Sequence, residues 1–221
     1  MLDNKHFIAK RVAQELKDGY TVNLGGGAPR SYVPLYIPEG ITVTFHTENG
    51  ILGVNGQPEP GFEDNDIFDA GGEHVTIAPG AAFINSALSF GIMRGGHLDV
   101  TVLGALQVDA EGSLANWCIP GYRMIGMGGA MDLVCGAKKV IIATEHTNKG
   151  KPRIIQKCTY PLTGKRVVDL IITEMGVIKV TPNGLLLTEI ASNATVDQVR
   201  AVTAAPLAVA ADLKIIPRDM Q

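Results

Sequence analysis

The sequence predicts an α/β fold, a layered, open and mostly parallel sheet flanked by helices, with an antiparallel hairpin near the C-terminus. Candidate strands and helices alternate through the first two thirds of the chain, which favours parallel strands joined by crossover helices. Residues 98–103 are mostly apolar, as expected of a strand buried on both faces. Pro182-Asn183-Gly184 separates two apolar runs and predicts the hairpin.

Length and composition limit the kind of protein this is. The 221 residues fit a single domain spanning 1–221, and 46% apolar residues are enough for a core without disulfides. A net charge of −3 without a dense basic tract argues against binding of nucleic acid or of an anionic membrane. There is no leader-like N-terminus and no apolar run long enough to span a bilayer, so a cytoplasmic location is expected.

The first elements are predicted from periodicity and caps. Ile8, Val12 and Leu16 lie on one stripe of a helix over residues 3–18, which Asp3 or Asn4 would cap and Gly19 would end. Further strands are predicted at 20–24, 41–46, 74–78, 98–103, 139–144, 167–173, 176–180 and 185–189, and helices near 31–36, 81–93, 130–134 and 195–202. Trp117, the only tryptophan, is expected in the core.

A run of glycines follows the first strand. Gly25, Gly26 and Gly27 lie between that strand and the start of a short helix, an order that presents backbone N–H groups to an anion. The run lacks the lysine and the spacing of a nucleotide-binding loop. Contact with a ligand and a simple tight turn are therefore both open for these glycines.

Glu48 is the candidate catalytic residue. Ile41, Val43 and Phe45 alternate with polar residues, as in a half-buried strand, and the strand runs directly into the turn Glu48-Asn49-Gly50. A carboxylate at the carboxyl end of a strand, partly removed from water, can act as a nucleophile. A surface turn residue would have the same local pattern.

Three stretches carry a resemblance to a known family. The segment from His46 to Gly53 resembles the Ser-Glu-Asn-Gly signature of the B (beta) subunits of 3-oxoacid CoA-transferases. The segments 126–134 (GMGGAMDLV) and 114–121 (LANW with IPG) are similar to two further signatures of that family. The similarity extends over nearly the whole chain and is strongest to the butyrate– or acetate–acetoacetate enzymes.

The resemblance implies both a fold and an activity. It implies the CoA-transferase fold and a reaction in which CoA moves between a short-chain acyl-CoA and a carboxylic acid through a covalent thioester on Glu48. It also implies that Gly129 helps form the oxyanion hole and that Gly128 and the 25–27 loop lie against CoA. No tightly bound cofactor is expected, and the implied partner is an A (alpha) subunit in an α2β2 assembly. The resemblance leaves open which acids are used and whether this chain is active without its partner.

Several residues near these motifs have roles that the sequence leaves open. Asn49 could orient Glu48 or only permit the turn, and His46 would share a strand face with Glu48 and could tune it. Family members often have Gln at the position of His46, and the chain departs from the family at Arg30 and over residues 54–61. Residues 54–73 are predicted to form a long loop, either near the site or as a solvated linker. Asp132 would cap its helix.

The sequence offers little support for a metal site or for two other functions. The histidines and cysteines have no spacing typical of a metal site, so none is expected. An acyl-CoA thioesterase would share the covalent intermediate, although no Gly-x-Ser-x-Gly motif is present. A non-catalytic ligand-binding protein on a related fold would be expected to lack Glu48 or the pair Gly128-Gly129.

Overall fold

The computed structural model describes residues 2–124 and 126–218. Its helices are α1 Asn4–Ala13, α2 Ala28–Tyr32, α3 Ser86–Arg94, α4 Ala130–Gly136 and α5 Val196–Ala201, with a 3-10 turn at Val33–Tyr36. The first ten strands are β1 Thr21–Leu24, β2 Thr44–Thr47, β3 Ile51–Val54, β4 Ile77–Phe83, β5 Val100–Leu103, β6 Gln107–Asp109, β7 Leu114–Ala115, β8 Cys118–Ile119, β9 Arg123–Met124 and β10 Val140–Ala143. The others are β11 Thr147–Asn148, β12 Lys151–Pro152, β13 Ile154–Ile155, β14 Leu170–Thr173, β15 Gly176–Thr181, β16 Gly184–Ala191 and β17 Leu207–Ile216.

Ten strands form one sheet in the order β17-β16-β15-β14-β10-β5-β1-β2-β3-β4. The central strands β2, β1, β5, β10 and β14 run parallel, while β3–β4 at one end and β15–β16 near the other pair in antiparallel fashion. The predicted α/β class and the C-terminal hairpin are confirmed.

The central strands are buried on both faces. Along β10, Val140 and Ile142 pack into one apolar cluster with α3, α4 and α5, while Ile141 and Ala143 pack into a second cluster against α1. This explains the uninterrupted apolar runs, because each face of a parallel sheet needs its own apolar residues.

Helix α1 is fixed to the sheet by buried charges. Arg11 is 6% exposed and donates through Nε to Glu189 on β16 at 2.7 Å. Its Nη1 also lies 2.7 Å from Glu15, which pairs with Lys139. Asp3 caps the helix, as predicted, but α1 ends at Ala13 rather than near residue 18.

The region from residue 74 to residue 93 differs from the prediction. Residues 81–83 belong to β4 rather than to the predicted helix, and the small side chain of Ala81 lets β3 approach closely. A Cβ on Gly53 of β3 would lie 2.9 Å from Cβ of Ala81. Helix α3 instead begins after Asn85, whose side chain caps it. His74 makes only an isolated bridge to Phe68, so the strand predicted at 74–78 was placed too early.

Two further differences concern the edges of the sheet. The apolar C-terminal tail, for which no strand was predicted, forms β17 and pairs in parallel with β16. The predicted strand 41–46 is shifted to Thr44–Thr47.

Candidate active site

Glu48 lies in the turn that follows β2. Strand β2 pairs with β1 in the parallel part of the sheet. Glu48 is half-buried, and the preceding residues His46 and Thr47 are buried. The turn requires glycine at position 50, since Gly50 has φ +122° and a Cβ there would lie 2.1 Å from the carbonyl oxygen of Ile84. The chain therefore fixes Glu48 at the carboxyl end of a parallel strand, where ligands of α/β sheets bind.

Asn23 on β1 holds the Glu48 carboxylate. Asn23 is fully buried, and its Nδ2 donates to Oε2 of Glu48 at 3.2 Å and to the carbonyl oxygen of His46 at 3.1 Å. The parallel pairing of β1 and β2 places Asn23 beside His46 and brings these groups together. Asn23 was not predicted from the sequence; a polar residue inside an otherwise apolar strand was the available signal.

His46 supports the turn as a neutral ring. Its Nε2 is 2.9 Å from Oγ of Ser89, which in turn donates to the backbone carbonyl of Glu48 at 2.9 Å. Burial lowers the pKa of His46 from 6.5 to about 4, so the imidazole is uncharged near neutral pH. His46 thus reaches Glu48 through Asn23 and Ser89.

Gly129 packs directly against Glu48. It is buried at the N-cap of α4, and a Cβ there would lie 3.0 Å from Cγ of Glu48 and 3.5 Å from its Cδ. Within the described residues, its backbone N–H has no backbone hydrogen-bond acceptor. The structure therefore brings together Glu48 and Gly129, which the sequence placed 81 positions apart.

Two cavities border Glu48. The larger, about 510 Å³, reaches toward α4 and is lined by three charged side chains besides Glu48, namely Lys5, Glu145 and Arg153. The smaller, about 420 Å³, lies between β2, α2 and the 55–76 loop. Both volumes are in the range of small-molecule sites. Glu48 therefore has room for substrate groups on two sides.

The predicted glycine contacts divide into two groups. Gly25 and Gly26 line both cavities, and Gly25 is also required by packing, because a Cβ there would lie 2.7 Å from Cδ2 of Leu103. Gly27, with φ +84°, and Gly128, with φ +51°, are both exposed and line neither cavity. Their geometry fits turns that begin α2 and α4.

Asn49 anchors the long loop. Its Nδ2 donates to the carbonyl oxygen of Phe68 at 2.7 Å, and its Oδ1 accepts from Thr47 at 2.8 Å. The hydroxyl of Thr47 also accepts the backbone N–H of Ala70. The loop that was predicted over residues 54–73 thus packs beside the candidate site, and Asn49 faces the loop.

The expectations for Trp117 and Asp132 are settled by position. Trp117 is half-buried and lines the larger cavity, so its placement in the core was wrong. Asp132 does not cap α4 and instead accepts from Nε of Arg94 at 2.6 Å. His146 is fully buried between Thr173 and Thr203, and Glu145 next to it lines the larger cavity.

Among the described residues, no cysteine lines either of the two cavities that border Glu48. Burial raises the pKa of the Cys158 thiol to about 12, which makes it a poor nucleophile. In residues 2–124 and 126–218, no three His, Cys, Asp or Glu side chains are arranged to hold a metal ion. None of the helices in these ranges has the length and apolarity needed to cross a bilayer.

Comparison with known sequences gives consistent matches. The family model described as Coenzyme A transferase matches residues 5–201. The beta subunit of the acetate CoA-transferase of Escherichia coli K12 is 49% identical over 99% of this chain and 100% of that protein. The B-type subunit of a probable succinyl-CoA:3-ketoacid coenzyme A transferase of Bacillus subtilis is 43% identical over 95% of this chain and 97% of that protein. The resemblance inferred from the sequence is confirmed.

Comparison with solved structures supports the fold. An acyl-CoA transferase from E. coli O157:H7 superimposes with a TM-score of 0.78 at 21% identity, and this chain covers 44% of it. Glutaconate coenzyme A-transferase from Acidaminococcus fermentans has a TM-score of 0.72 at 18% identity over 89% of its chain. A decarboxylase, AibA/AibB, has a TM-score of 0.75 at 18% identity over 87% of its chain. The fold therefore carries more than one activity, and the site must decide between them.

Proposed function

Because the chain belongs to the coenzyme A transferase family, we propose that it is a B-type subunit that moves CoA between a short-chain acyl-CoA and a carboxylic acid. One observation carries the proposal. The half-buried carboxylate of Glu48 lies between two cavities, with the backbone of Gly129 against its side chain. A nucleophile in this position can contact both an acyl group and a thiol.

The reaction proceeds through two exchanges at carbonyl carbons. A carboxylate oxygen of Glu48 attacks the thioester carbon, the C–S bond breaks, and a mixed anhydride and CoA thiolate result. The thiolate then attacks the glutamyl carbonyl carbon, so that the first acid leaves as a carboxylate and a glutamyl-CoA thioester remains. An incoming carboxylate reverses both steps, which gives ping-pong kinetics. The electron pairs balance without a metal or redox cofactor.

Gly129 and Asn23 have separate roles in this scheme. Each attack creates a tetrahedral oxyanion, and the backbone N–H of Gly129, a residue that packs against Glu48, would stabilise it. Asn23 holds Oε2 of Glu48 and so orients the attacking carboxylate. His46, held neutral by burial, makes hydrogen bonds that support the turn at Glu48 and takes no part in proton transfer.

Charge favours CoA in the larger cavity. Apart from Glu48, its charged lining consists of two cations, Lys5 and Arg153, and one anion, Glu145. Nε of Arg153 is buried without a partner among the described residues, although Nη1 donates to the carbonyl oxygen of Ala105. A net positive wall complements the phosphates of CoA. Gly25 and Gly26 lie at the junction of the two cavities and would contact the thioester end.

An A-type subunit completes the proposed enzyme. The two relatives quoted above are named as beta or B subunits, and this chain covers 44% of the matched E. coli acyl-CoA transferase. We propose an α2β2 assembly in which the partner closes the larger cavity. Light scattering of the co-expressed pair tests the stoichiometry.

The activity is tested by acceptor dependence. The complex with an A-type subunit is incubated with acetoacetyl-CoA and either acetate or butyrate, and the new acyl-CoA is quantified. We expect transfer in the wild type and its loss in Glu48→Ala. Release of CoA at the same rate with and without an acid would instead indicate a thioesterase, and no consumption of acyl-CoA would contradict the proposal. Glu111→Gln, which removes one carboxylate at an exposed and remote position, is the matched control.

A further inference from the structure

The smaller cavity is lined by apolar side chains and by a small group of charged ones. Resting on the function proposed above, we infer that it holds the hydrocarbon part of the transferred acid and selects monocarboxylic acids over dicarboxylic acids. The selection is made by the Arg30–Asp69 ion pair and the neighbouring Glu73. These residues form the only charged lining other than Glu48, all within the part of the chain that the structure describes.

The interior suits a short hydrocarbon chain. Leucine, phenylalanine and valine side chains line it, namely Leu24, Leu35, Phe45, Val54 and Val75. The volume of about 420 Å³ also borders Glu48. An acyl group bound to the Glu48 carboxylate as an anhydride therefore has an apolar space to enter, while CoA occupies the cationic cavity on the other side.

The cation in this cavity is already engaged. Nη1 of Arg30 donates to Oδ1 of Asp69 at 2.9 Å and lies 2.7 Å from its Oδ2, and Nη2 is 3.8 Å from Glu73. The side chain of Asp69 is 4% exposed, and that of Arg30 is 19% exposed. A charge-assisted hydrogen bond in such a shielded position is not readily opened by a competing anion.

Asp69 is also fixed by the backbone of its own loop. Its Oδ1 accepts the backbone N–H groups of Gly71 at 2.8 Å and of Glu73 at 3.1 Å. The ion pair thus joins α2 to the long loop in one geometry. The divergent Arg30 and the loop, whose roles the sequence left open, meet in this contact.

The charge balance disfavours a second carboxylate. Apart from Glu48, the charged wall of the smaller cavity has one cation, Arg30, and two anions, Asp69 and Glu73, which leaves one net negative charge. An acid such as butyrate presents only methylene and methyl groups to this wall. Succinate would bring a second negative charge into a half-enclosed space of like charge, where repulsion is stronger than in water.

The test compares acceptor acids in the complex with an A-type subunit. The ratio of kcat/KM for butyrate to that for succinate is measured with acetoacetyl-CoA as donor. We expect a preference for butyrate of more than tenfold, and a decrease of about tenfold in Asp69→Asn, since the wall becomes neutral and Arg30 is released. Arg30→Gln should increase the preference, because it leaves two anions without the cation.

Two further variants separate charge from loosening of the loop. Arg30→Gln combined with Asp69→Asn keeps similar shapes and the same net charge, so the ratio should stay within about twofold of the wild type. Asp197→Asn, at an exposed position of α5, makes the same charge change away from both cavities and should leave the ratio unchanged.

Each outcome bears on the inference. Equal use of succinate and butyrate by the wild type, or an unchanged ratio in Asp69→Asn with transfer intact, would overturn it and leave the proposed CoA-transferase function standing. If the ratio falls as much in the double variant as in Asp69→Asn, loop packing and not charge selects the acid. That result would also overturn the inference. Absence of transfer with every acid in the wild type would overturn the proposed function itself.

Discussion

Nδ2 of Asn23 lies 3.2 Å from Oε2 of Glu48, across the parallel pair β1 and β2. Asn23 is fully buried, and the same amide nitrogen donates to the backbone of His46. The side chain therefore ties the carboxylate to the strand that presents it. This contact fixes the orientation of the carboxylate that we propose as the nucleophile.

Replacing Asn23 should slow transfer more than it harms folding. Asn23→Ala removes a hydrogen bond to a charged group, worth about 1.5–3 kcal/mol, so kcat should fall roughly 10- to 100-fold. Asn23→Asp, of nearly the same shape, should be at least as damaging, because it places a second carboxylate beside Glu48. Initial rates in the assembled complex measure both effects. Rates within about twofold of the wild type in both variants would contradict the positioning role.

Gly129→Ala should crowd the reacting carboxylate. The backbone of Gly129, with φ −84°, tolerates alanine, but the new Cβ would lie 3.0 Å from Cγ of Glu48. We expect kcat to fall by about tenfold or more with little change in thermal stability. Gly91→Ala is the matched control, because a Cβ on this exposed position of α3 meets nothing within 4 Å. Equal activity of the two variants would argue against close contact between Gly129 and the reacting group.

His46 should make stability depend on pH. Its pKa is about 4 in the folded protein and near 6.5 when unfolded, so between these values the unfolded chain binds more protons. Its contribution to stability is therefore fully present above pH 6.5 and is lost as the pH falls toward 4, with a slope of up to about 1.4 kcal/mol per pH unit.

Denaturant unfolding at several pH values checks this sign. The free energy of unfolding of His46→Gln should fall less steeply with acidification than that of the wild type. Glutamine can still bond Ser89, so stability at pH 7 should change little. Parallel pH profiles for the two proteins would contradict the assignment of a depressed pKa to His46.

Gly50→Ala should destabilise the whole domain. The substitution adds strain at φ +122° and places Cβ 2.1 Å from the backbone oxygen of Ile84, a residue held in place by the hydrogen bond that its N–H donates to the carbonyl of Gly50. We expect a loss of more than about 2 kcal/mol in the free energy of unfolding. Gly40 has φ +86° and open space around it, so Gly40→Ala should lower the free energy of unfolding by clearly less. Equal losses would show that the close approach to Ile84 contributes nothing.

Local sequence signals predicted much of this fold. Mostly apolar runs marked β5, β10 and β14, because burial on both faces requires such runs, and Pro182-Asn183-Gly184 marked the hairpin. Residues 81–83 were misread as helix, since the pairing that makes them a strand comes from β3. The strand β17 was missed for the same reason, because its partner β16 is separated from it in the chain by α5.

The site could be predicted only in part. Glu48 and Gly129 were named from motifs, but their contact depends on how α4 packs near β2. Asn23 carries no local motif, and its role follows from its register opposite His46. The pairing of Arg30 with Asp69 joins residues 39 positions apart, which no spacing rule reveals.

The central claim is that Glu48 forms the covalent intermediate, and covalent trapping tests it most directly. The complex with an A-type subunit is incubated with acetoacetyl-CoA, reduced with borohydride and mapped by peptide mass spectrometry, with Glu111→Gln as a control variant that retains Glu48. We predict reduction of the Glu48 side chain to an alcohol in the wild type and in the control, and no modified peptide without acyl-CoA. Unmodified Glu48 in a preparation that still exchanges CoA would contradict the claim.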